Sequence, residues 1–327
     1  MPSNPLAYSP ADVEEDELVD PFTPGNGHKP AVSLEAFLQE VKHGSPSERV
    51  AINMSNAIIG AGIIGLPYAL RLSGLGFGLA LLFCMALITS SSIGYLISSG
   101  IALRTRSFEL TALKALGPWG ERAVLAAQFC FDYGAALSYL IIIGDTSTQI
   151  MELILDGAFP GLRQLCIAVV SIAFCLPLCL KRDIAGLERF SMFSVATVLL
   201  VTIMLFAKLL AAGSSAPRIS DLPLIPHSLA YVVVAIGIFS FAFVCNDCVF
   251  LYYNTLEGGS AARFRQVTIL ALTGSSAMTS MLGCIGLFSF GHSTKENVLN
   301  NYPDDDVVAT IMRAFYVLTM ILTYPIW

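Results

Sequence analysis

Long apolar stretches separated by short polar links run along the chain from Val50 onward. About 20 apolar residues in an α-helix are enough to cross the hydrocarbon core of a bilayer. Eight such stretches occur and are numbered here as spans one to eight: 50–71, 77–103, 123–148, 163–180, 187–212, 228–253, 266–290 and 307–327. A large soluble protein can bury one or two helices of this length. Eight in succession predict an all-α polytopic membrane protein.

Composition agrees with this class and divides the chain into two parts. Only 13% of the residues are charged and 55% are hydrophobic, whereas a soluble domain carries roughly 25% charged residues. Nine of the 24 acidic residues precede Arg49, in a proline-containing segment with little to bury, which is typical of disorder. We therefore predict a disordered acidic tail over 1–49 and a transmembrane domain over 50–327. The net charge of −6 belongs largely to this tail, and we expect no nucleic-acid partner.

Lysine and arginine residues predict the orientation of the spans. If the N-terminus is cytosolic, 12 of the 18 basic residues fall in the tail or in links on the cytosolic side. This bias is the one that cytoplasmic loops show. We expect a cytosolic N-terminus, in either a vacuolar or lysosomal membrane or the plasma membrane. Arg313, six residues into span eight, can reach the interface with its long side chain.

The sequence has none of the common catalytic or metal-binding motifs. It contains no HExxH, no GxSxG and no Walker A loop. All eight cysteines lie within apolar runs, which is typical of free thiols packed as small hydrophobes. Cys245 and Cys248 form a C-x-x-C pair without a second pair at zinc-ligand spacing. We expect no enzyme, no metal site and no cofactor.

Span one contains GAGIIG, a literal match to the dinucleotide fingerprint G-x-G-x-x-G. That fingerprint requires an acidic residue about 20 positions on, but the next acid after Gly65 is Glu109. Within a bilayer, Gly60, Gly62 and the nearby Pro67 instead weaken the helix near the midplane. The polar backbone groups released by such a break can be satisfied by a bound solute and ion. The alternative is that the glycines allow close packing of helices through small residues.

Span six carries a second interruption, because Asn246 and Asp247 lie in the middle of its apolar run. Polar residues at this depth are costly and indicate a function or a buried partner. Paired interruptions five spans apart predict an inverted five-helix repeat with a central site.

Asp132 lies about nine residues into span three, roughly 13 Å deep. It could bind a coupling proton or cation, or hydrogen-bond within the bundle, and the second role is the more common one.

Five segments resemble the amino acid/auxin permease family, above all its sodium-coupled neutral amino acid transporters and fungal vacuolar amino acid transporters. The likeness runs from about Val50 to Pro325, and its first-helix and eighth-helix motifs are the most specific. The segments, in chain order, are NMSNAIIGAGIIGLPYALRLSG, SYLIIIGDTSTQI, PLCLKRDIAGLERFS, FAFVCNDCVFLYYNTLEG and VLNNYPDDDVVATIMRAFYVLTMILTYP.

The resemblance implies a LeuT-like inverted-repeat fold and a set of site residues. Backbone amides around Gly60, Ala61 and Gly62 would receive a substrate carboxylate, and Asn246 of span six would line the same site. The resemblance also implies an ion site. Asn56 with Thr323, and less directly Thr319, would match polar groups that sodium-coupled members place around their cation.

Two departures from the family pattern qualify this picture. Many members have a histidine where this chain has Asn246, so pH behaviour inferred from that histidine does not transfer. The family has about eleven helices, and we expect this chain to be truncated after the eighth.

The predicted function is secondary active transport of neutral amino acids, as a symporter with Na⁺ or H⁺. The alternative is a non-transporting nutrient sensor, or a regulator of full-length relatives.

Overall fold

A computed structural model of the protein describes residues 44–155, 157, 159–180, 184–213, 217 and 222–324, and of residues 61 and 184–190 it describes the backbone only. The predicted tail up to residue 43 lies outside these ranges. The described part is helical and contains no strand. Its α-helices are α1 Ser47–Ile59, α2 Leu66–Ser73, α3 Leu75–Ala102, α4 Phe108–Leu116, α5 Pro118–Ile154, α6 Leu162–Val170, α7 Leu176–Cys179, α8 Ile184–Ala212, α9 Leu229–Phe243, α10 Val249–Thr255, α11 Ala261–Phe290 and α12 Val307–Thr323.

Five helical segments of the described chain are each long and apolar enough to cross a membrane. They are Leu75–Ala102, Pro118–Ile154, Leu162–Cys179, Ser191–Ala212 and Ala261–Ser293. The bent pair α1 and α2, whose axes differ by 48°, counts as a sixth when taken as one broken span. Predicted spans six and eight fall on the shorter apolar helices α9 and α12. The all-helical class is therefore confirmed, with several apolar helices of membrane-spanning length.

Local sequence explains where several helices begin or change. Gly74, with φ of +78°, makes the tight turn between α2 and α3, a conformation that glycine adopts without steric cost. Ser107 caps α4 by accepting a hydrogen bond from the backbone N–H of Leu110 at 3.1 Å. In span four the wide π-helical turn Ser171–Cys175 comes just before Pro177, whose missing N–H disfavours a regular ladder.

The broken span one lies inside the bundle. α1 packs against α8 and α11, and α2 packs against α9 and α11. Small residues on α11 permit this closeness, because a Cβ added at Gly286 would lie 2.5 Å from Cγ of Pro67 and one added at Gly283 would lie 2.9 Å from Cδ1 of Leu70. Small-residue packing, the alternative considered for the glycines of span one, is thus observed on its partner helix.

The link before α12, residues 291–306, is held by two basic side chains. The Arg313 side chain is buried, and its guanidinium donates hydrogen bonds to the carbonyls of Leu299 at 3.2 Å and Tyr302 at 2.9 Å. Lys208 forms an ion pair with Asp306, and its ammonium lies 4.8 Å from the ring centre of Tyr302. Arg313 therefore extends to the link at the end of its span, where its guanidinium also lies 3.4 Å from Oδ1 of Asp304. Its reach to the membrane interface stays a prediction.

Asp306 is also the N-cap of α12. Its carboxylate accepts a hydrogen bond from the backbone N–H of Ala309 at 3.0 Å. Burial alone would raise the pKa of Asp306, but the hydrogen bonds from Lys208 and Ala309 outweigh it and lower the pKa below 3.8. The Asp306 carboxylate is therefore charged at neutral pH.

Candidate functional site

Span one is interrupted at the predicted position. α1 ends at Ile59, Gly60 follows with φ of 13° and ψ of −147°, and Ala61–Gly65 form a tighter 3-10 turn. α2 then begins at Leu66, with Pro67 in its first turn, where the missing proline N–H costs nothing. Because the α-helical ladder stops here, backbone groups at the end of α1 and the start of α2 lack the usual partner four residues away.

Span six is interrupted as well. α9 ends at Phe243, and Val244 is extended with φ of −73° and ψ of 127°. The chain regains helical form at Val249, so Asn246 and Asp247 both lie in the irregular link between α9 and α10. The prediction of paired interruptions in spans one and six is confirmed.

The two broken spans pack closely together. A Cβ added at Gly62 would lie 2.9 Å from Cα of Ala242, so backbone meets backbone at this point. One residue further, the carbonyl freed at Phe243 accepts a hydrogen bond from Thr89 Oγ1 of α3 at 3.2 Å. A Cβ added at Gly60 would lie 2.9 Å from Oη of Tyr139 on α5. The breaks are thus enclosed by spans one and six, which the sequence predicted to form a common site, and by α3 and α5, whose contacts it did not predict.

The predicted substrate-binding residues lie at these breaks. Gly60 and Gly62 are buried, and Ala61 between them is described by its backbone only. Asn246 is half-buried, and its Oδ1 atom is buried without a hydrogen-bond partner in the described part of the chain. The structure therefore places glycines of one break and a free amide oxygen of the other within the same region of the bundle.

The predicted ion-binding residues each make a hydrogen bond elsewhere. The amide of Asn56 donates to Ser191 Oγ on α8 at 3.3 Å. Thr319 and Thr323 donate to carbonyls of their own helix, those of Phe315 and Thr319 respectively. All three predicted residues are buried. Ser191 is a contact that sequence analysis missed, since nothing in the pattern of span five singles it out.

Asp132 lies beside the link in span six. Its carboxylate is close enough to that of Asp247 for the two charges to interact, and Phe131 contacts Phe241 with ring centres 5.9 Å apart. Within the described chain, buried oxygens of Asp132, Asp247 and Gln128 have no hydrogen-bond partner. Four side-chain oxygens, including that of Asn246, are thus free to accept a hydrogen bond from a bound cationic or protonated group.

A small apolar cavity borders the 3-10 turn of span one. Its volume is about 10 Å³, room for about one water molecule. Tyr316 of α12 contributes to its wall and hydrogen-bonds through its hydroxyl with the backbone of Ile64. The other lining residues are Ile63, Ile64, Val198, Val201, Leu205, Leu282, Val298 and Leu299. In this conformation the cavity is too small for an amino acid.

These features describe a polytopic helical bundle with two broken helices packed at its centre, and comparison with known families agrees. The model of the transmembrane amino acid transporter protein family matches residues 43–327. The chain belongs to this family. The resemblance found in the sequence motifs is therefore confirmed, and the family is one of transporters rather than enzymes.

Curated relatives carry names that agree with this assignment. The chain is 32% identical over 298 residues to "Putative sodium-coupled neutral amino acid transporter 11" of Mus musculus, with 89% of this chain and 65% of the relative covered. It is 26% identical over 298 residues to "Vacuolar amino acid transporter 2" of Saccharomyces cerevisiae, covering 88% and 61%. It is 28% identical over 302 residues to "Amino acid transporter AVT6E" of Arabidopsis thaliana, covering 86% and 61%. The chain thus spans under two thirds of the length of these relatives.

Proposed function

We propose that the protein takes part in secondary active transport of neutral amino acids, with a LeuT-like arrangement of its helices. The observation that carries this proposal is the contact between two broken spans five positions apart, Gly62 against Ala242, in a member of an amino acid transporter family. Discontinuous helices of this kind form the substrate site of transporters built from inverted repeats.

The two ends of an amino acid match the two breaks. Backbone N–H groups around Gly60, Ala61 and Gly62 are donors suited to a carboxylate, since residues without bulky side chains let the ligand approach the backbone. The free oxygens near Asn246 and Asp132 are acceptors suited to an ammonium group. The name of the mouse relative, which includes neutral amino acids, supports the same substrate class.

For the coupling ion we favour Na⁺ over H⁺. Asn56, Thr319 and Thr323 are uncharged, oxygen-bearing and buried, and oxygen ligands are those that hard cations prefer. None of the three can release a proton near neutral pH, so coupling to H⁺ would fall to Asp132. The cytosolic N-terminus is likewise proposed from the distribution of basic residues, with the vacuolar and plasma membranes as the two candidate locations.

The test is uptake of labelled neutral amino acids by a transport-deficient host that expresses the protein. We expect saturable uptake that disappears when choline replaces Na⁺ and survives a protonophore. The opposite pattern, loss with the protonophore and indifference to Na⁺, would assign the coupling to H⁺. Uptake no higher than in the empty host, at verified membrane expression, would contradict the transport proposal.

A further inference from the structure

Several buried hydroxyl groups in the long helices bond back to their own helix. Thr202 on α8 donates to the carbonyl of Val198 at 2.8 Å, and Thr268 on α11 donates to that of Phe264 at 3.0 Å. This bond to the residue four positions earlier is how a hydroxyl is satisfied where no water is available. It leaves the hydroxyl with no need of a ligand.

Four buried hydroxyls of the described long helices have no such bond: Thr146 and Ser147 on α5, Ser194 on α8 and Ser275 on α11. Ser194 and Ser275 are the two that lie on helices packed against α1. Both residues are fully buried, at 0% exposure, and neither hydroxyl has a hydrogen-bond partner in the described part of the protein. For Ser275 the usual acceptor is already engaged, because the carbonyl of Ala271 accepts a hydrogen bond from Ser55 Oγ at 3.4 Å. An unsatisfied buried polar group is destabilising, so two of them on neighbouring helices are candidates for binding a ligand.

Two contacts of α1 place both hydroxyls at the same depth. Asn56 contacts Ser191 and Ser55 contacts Ala271, and on each partner helix the next turn outward carries the free hydroxyl. α1, α8 and α11 pack against one another and run in the same direction, so one turn outward on α8 and α11 corresponds to one turn outward on α1. One turn outward from Asn56, α1 ends. Ser194 and Ser275 thus flank the point where α1 stops at Ile59.

The cavity described above supports this convergence. Its wall includes Ile63 from the 3-10 turn, Val198 from α8 and Leu282 from α11. Val198 lies one turn beyond Ser194, and Leu282 two turns beyond Ser275. The three elements therefore meet directly outward of the two hydroxyls, and the faces that bear the serines are turned toward the break.

We propose that Ser194 and Ser275, together with carbonyl oxygens at the end of α1, bind a sodium ion between spans one, five and seven. A helix end exposes carbonyl oxygens without intrahelical partners, and neutral hydroxyl and carbonyl oxygens suit a hard monovalent cation. This site is distinct from one shared by Asn56, Thr319 and Thr323, whose hydroxyls and amide are already hydrogen-bonded. Its role in coupling rests on the proposed transport function, whereas Na⁺ binding itself does not.

The experiment measures thermal unfolding of the purified full chain in detergent, without amino acid, in NaCl, KCl and choline chloride at equal ionic strength. We expect stabilisation specific to Na⁺. In Ser194→Ala and Ser275→Ala the Na⁺ concentration for half-maximal stabilisation should rise about tenfold, as for the loss of about 1.4 kcal/mol of binding energy. Thr202→Val and Thr268→Val are the matched controls, since these buried hydroxyls lie on the same helices but are satisfied internally, and they should keep the wild-type response.

Several outcomes would overturn the site. Wild-type protein that is stabilised equally by all three salts binds no Na⁺ here, as would hold if the hydroxyls bind only water. An unchanged Na⁺ response in both alanine variants would have the same meaning. If an alanine variant is not monodisperse, the cysteine variants Ser194→Cys and Ser275→Cys keep the volume, and their unchanged response would also refute the proposal. A Na⁺ response that weakens in the alanine variants, without amino acid uptake by the wild type, would contradict transport but support the site.

Discussion

At the scale of single residues, Gly62 shows most directly how the site depends on the absence of a side chain. Its backbone packs on that of Ala242, and the first atom of any side chain would lie 2.9 Å from Cα of that residue. Backbone cannot yield as the end of a flexible side chain can. Gly237, one and a half turns earlier in span six, has open space where its Cβ would be. A methyl group added at Gly62 would therefore meet backbone atoms, whereas one added at Gly237 would meet none.

We predict that Gly62→Ala lowers amino acid uptake at least tenfold at unchanged membrane expression. The added methyl group must push spans one and six apart, and overpacking of this kind costs about 1–3 kcal/mol. Gly237→Ala is the matched control and should transport like the wild type. Undiminished uptake by Gly62→Ala would show that the contact between the breaks is not needed for the site.

At the scale of elements, the link of residues 291–306 is tied to α12 by Arg313 and to α8 by Lys208. The Arg313 side chain is 1% exposed, and its guanidinium donates to the carbonyls of Leu299 and Tyr302. Arg163 and Asp145 form a contrasting pair, with side chains 43% and 41% exposed. Exposed pairs contribute little to stability, whereas loss of a buried donor leaves several acceptors unsatisfied.

We predict that Arg313→Met destabilises the protein by about 2–3 kcal/mol, because a buried charge-assisted network loses its donor. The measurement is thermal unfolding in detergent together with hydrogen exchange, in which peptides from 291–306 should exchange faster. Arg163→Met, the control, should change stability by less than about 1 kcal/mol. Equal effects of the two substitutions would contradict a structural role for the buried arginine.

At the scale of the whole molecule, we predict the orientation in the membrane from the alternation of the spans and the bias of basic residues toward one side. Two exposed positions lie on opposite faces in this arrangement, Ala115 on α4 between spans two and three and Ser293 between spans seven and eight. The first should face the cytosol with the N-terminus. The second should face the exterior or the lumen of an organelle.

We predict that a membrane-impermeant maleimide labels Ser293→Cys and Ala115→Cys from opposite sides of sealed vesicles. Ala115→Cys should react only when the cytosolic side is exposed, and Ser293→Cys only from the other side. The unsubstituted protein, with its eight native cysteines, sets the background. Labelling of both variants from one side would contradict the predicted topology, and a reversed pattern would contradict the cytosolic N-terminus.

The sequence by itself determined the class of the protein, the positions of its apolar stretches and the two broken spans. These properties are local. Apolar length decides whether a segment suits a bilayer, and a cluster of glycines followed by proline, or a buried Asn–Asp pair, weakens a helix through neighbouring residues of the same segment. The family resemblance also came from the sequence alone, because it is a comparison of residues such as the motifs around Gly60 and Thr323. The short helix α4 was not predicted, since its nine residues are too few to show a clear helical period of apolar positions.

Only the tertiary structure decided which side chains meet. That Gly62 contacts Ala242, that Asn56 reaches Ser191 and that Phe131 packs against Phe241 are contacts between residues far apart in the chain. No periodicity encodes such pairings. They depend on how helices rotate and slide against one another until small and large surfaces fit. The same reason applies to Arg313 and to the free hydroxyls of Ser194 and Ser275: whether a polar group has a partner depends on the neighbouring helix, which packing alone selects.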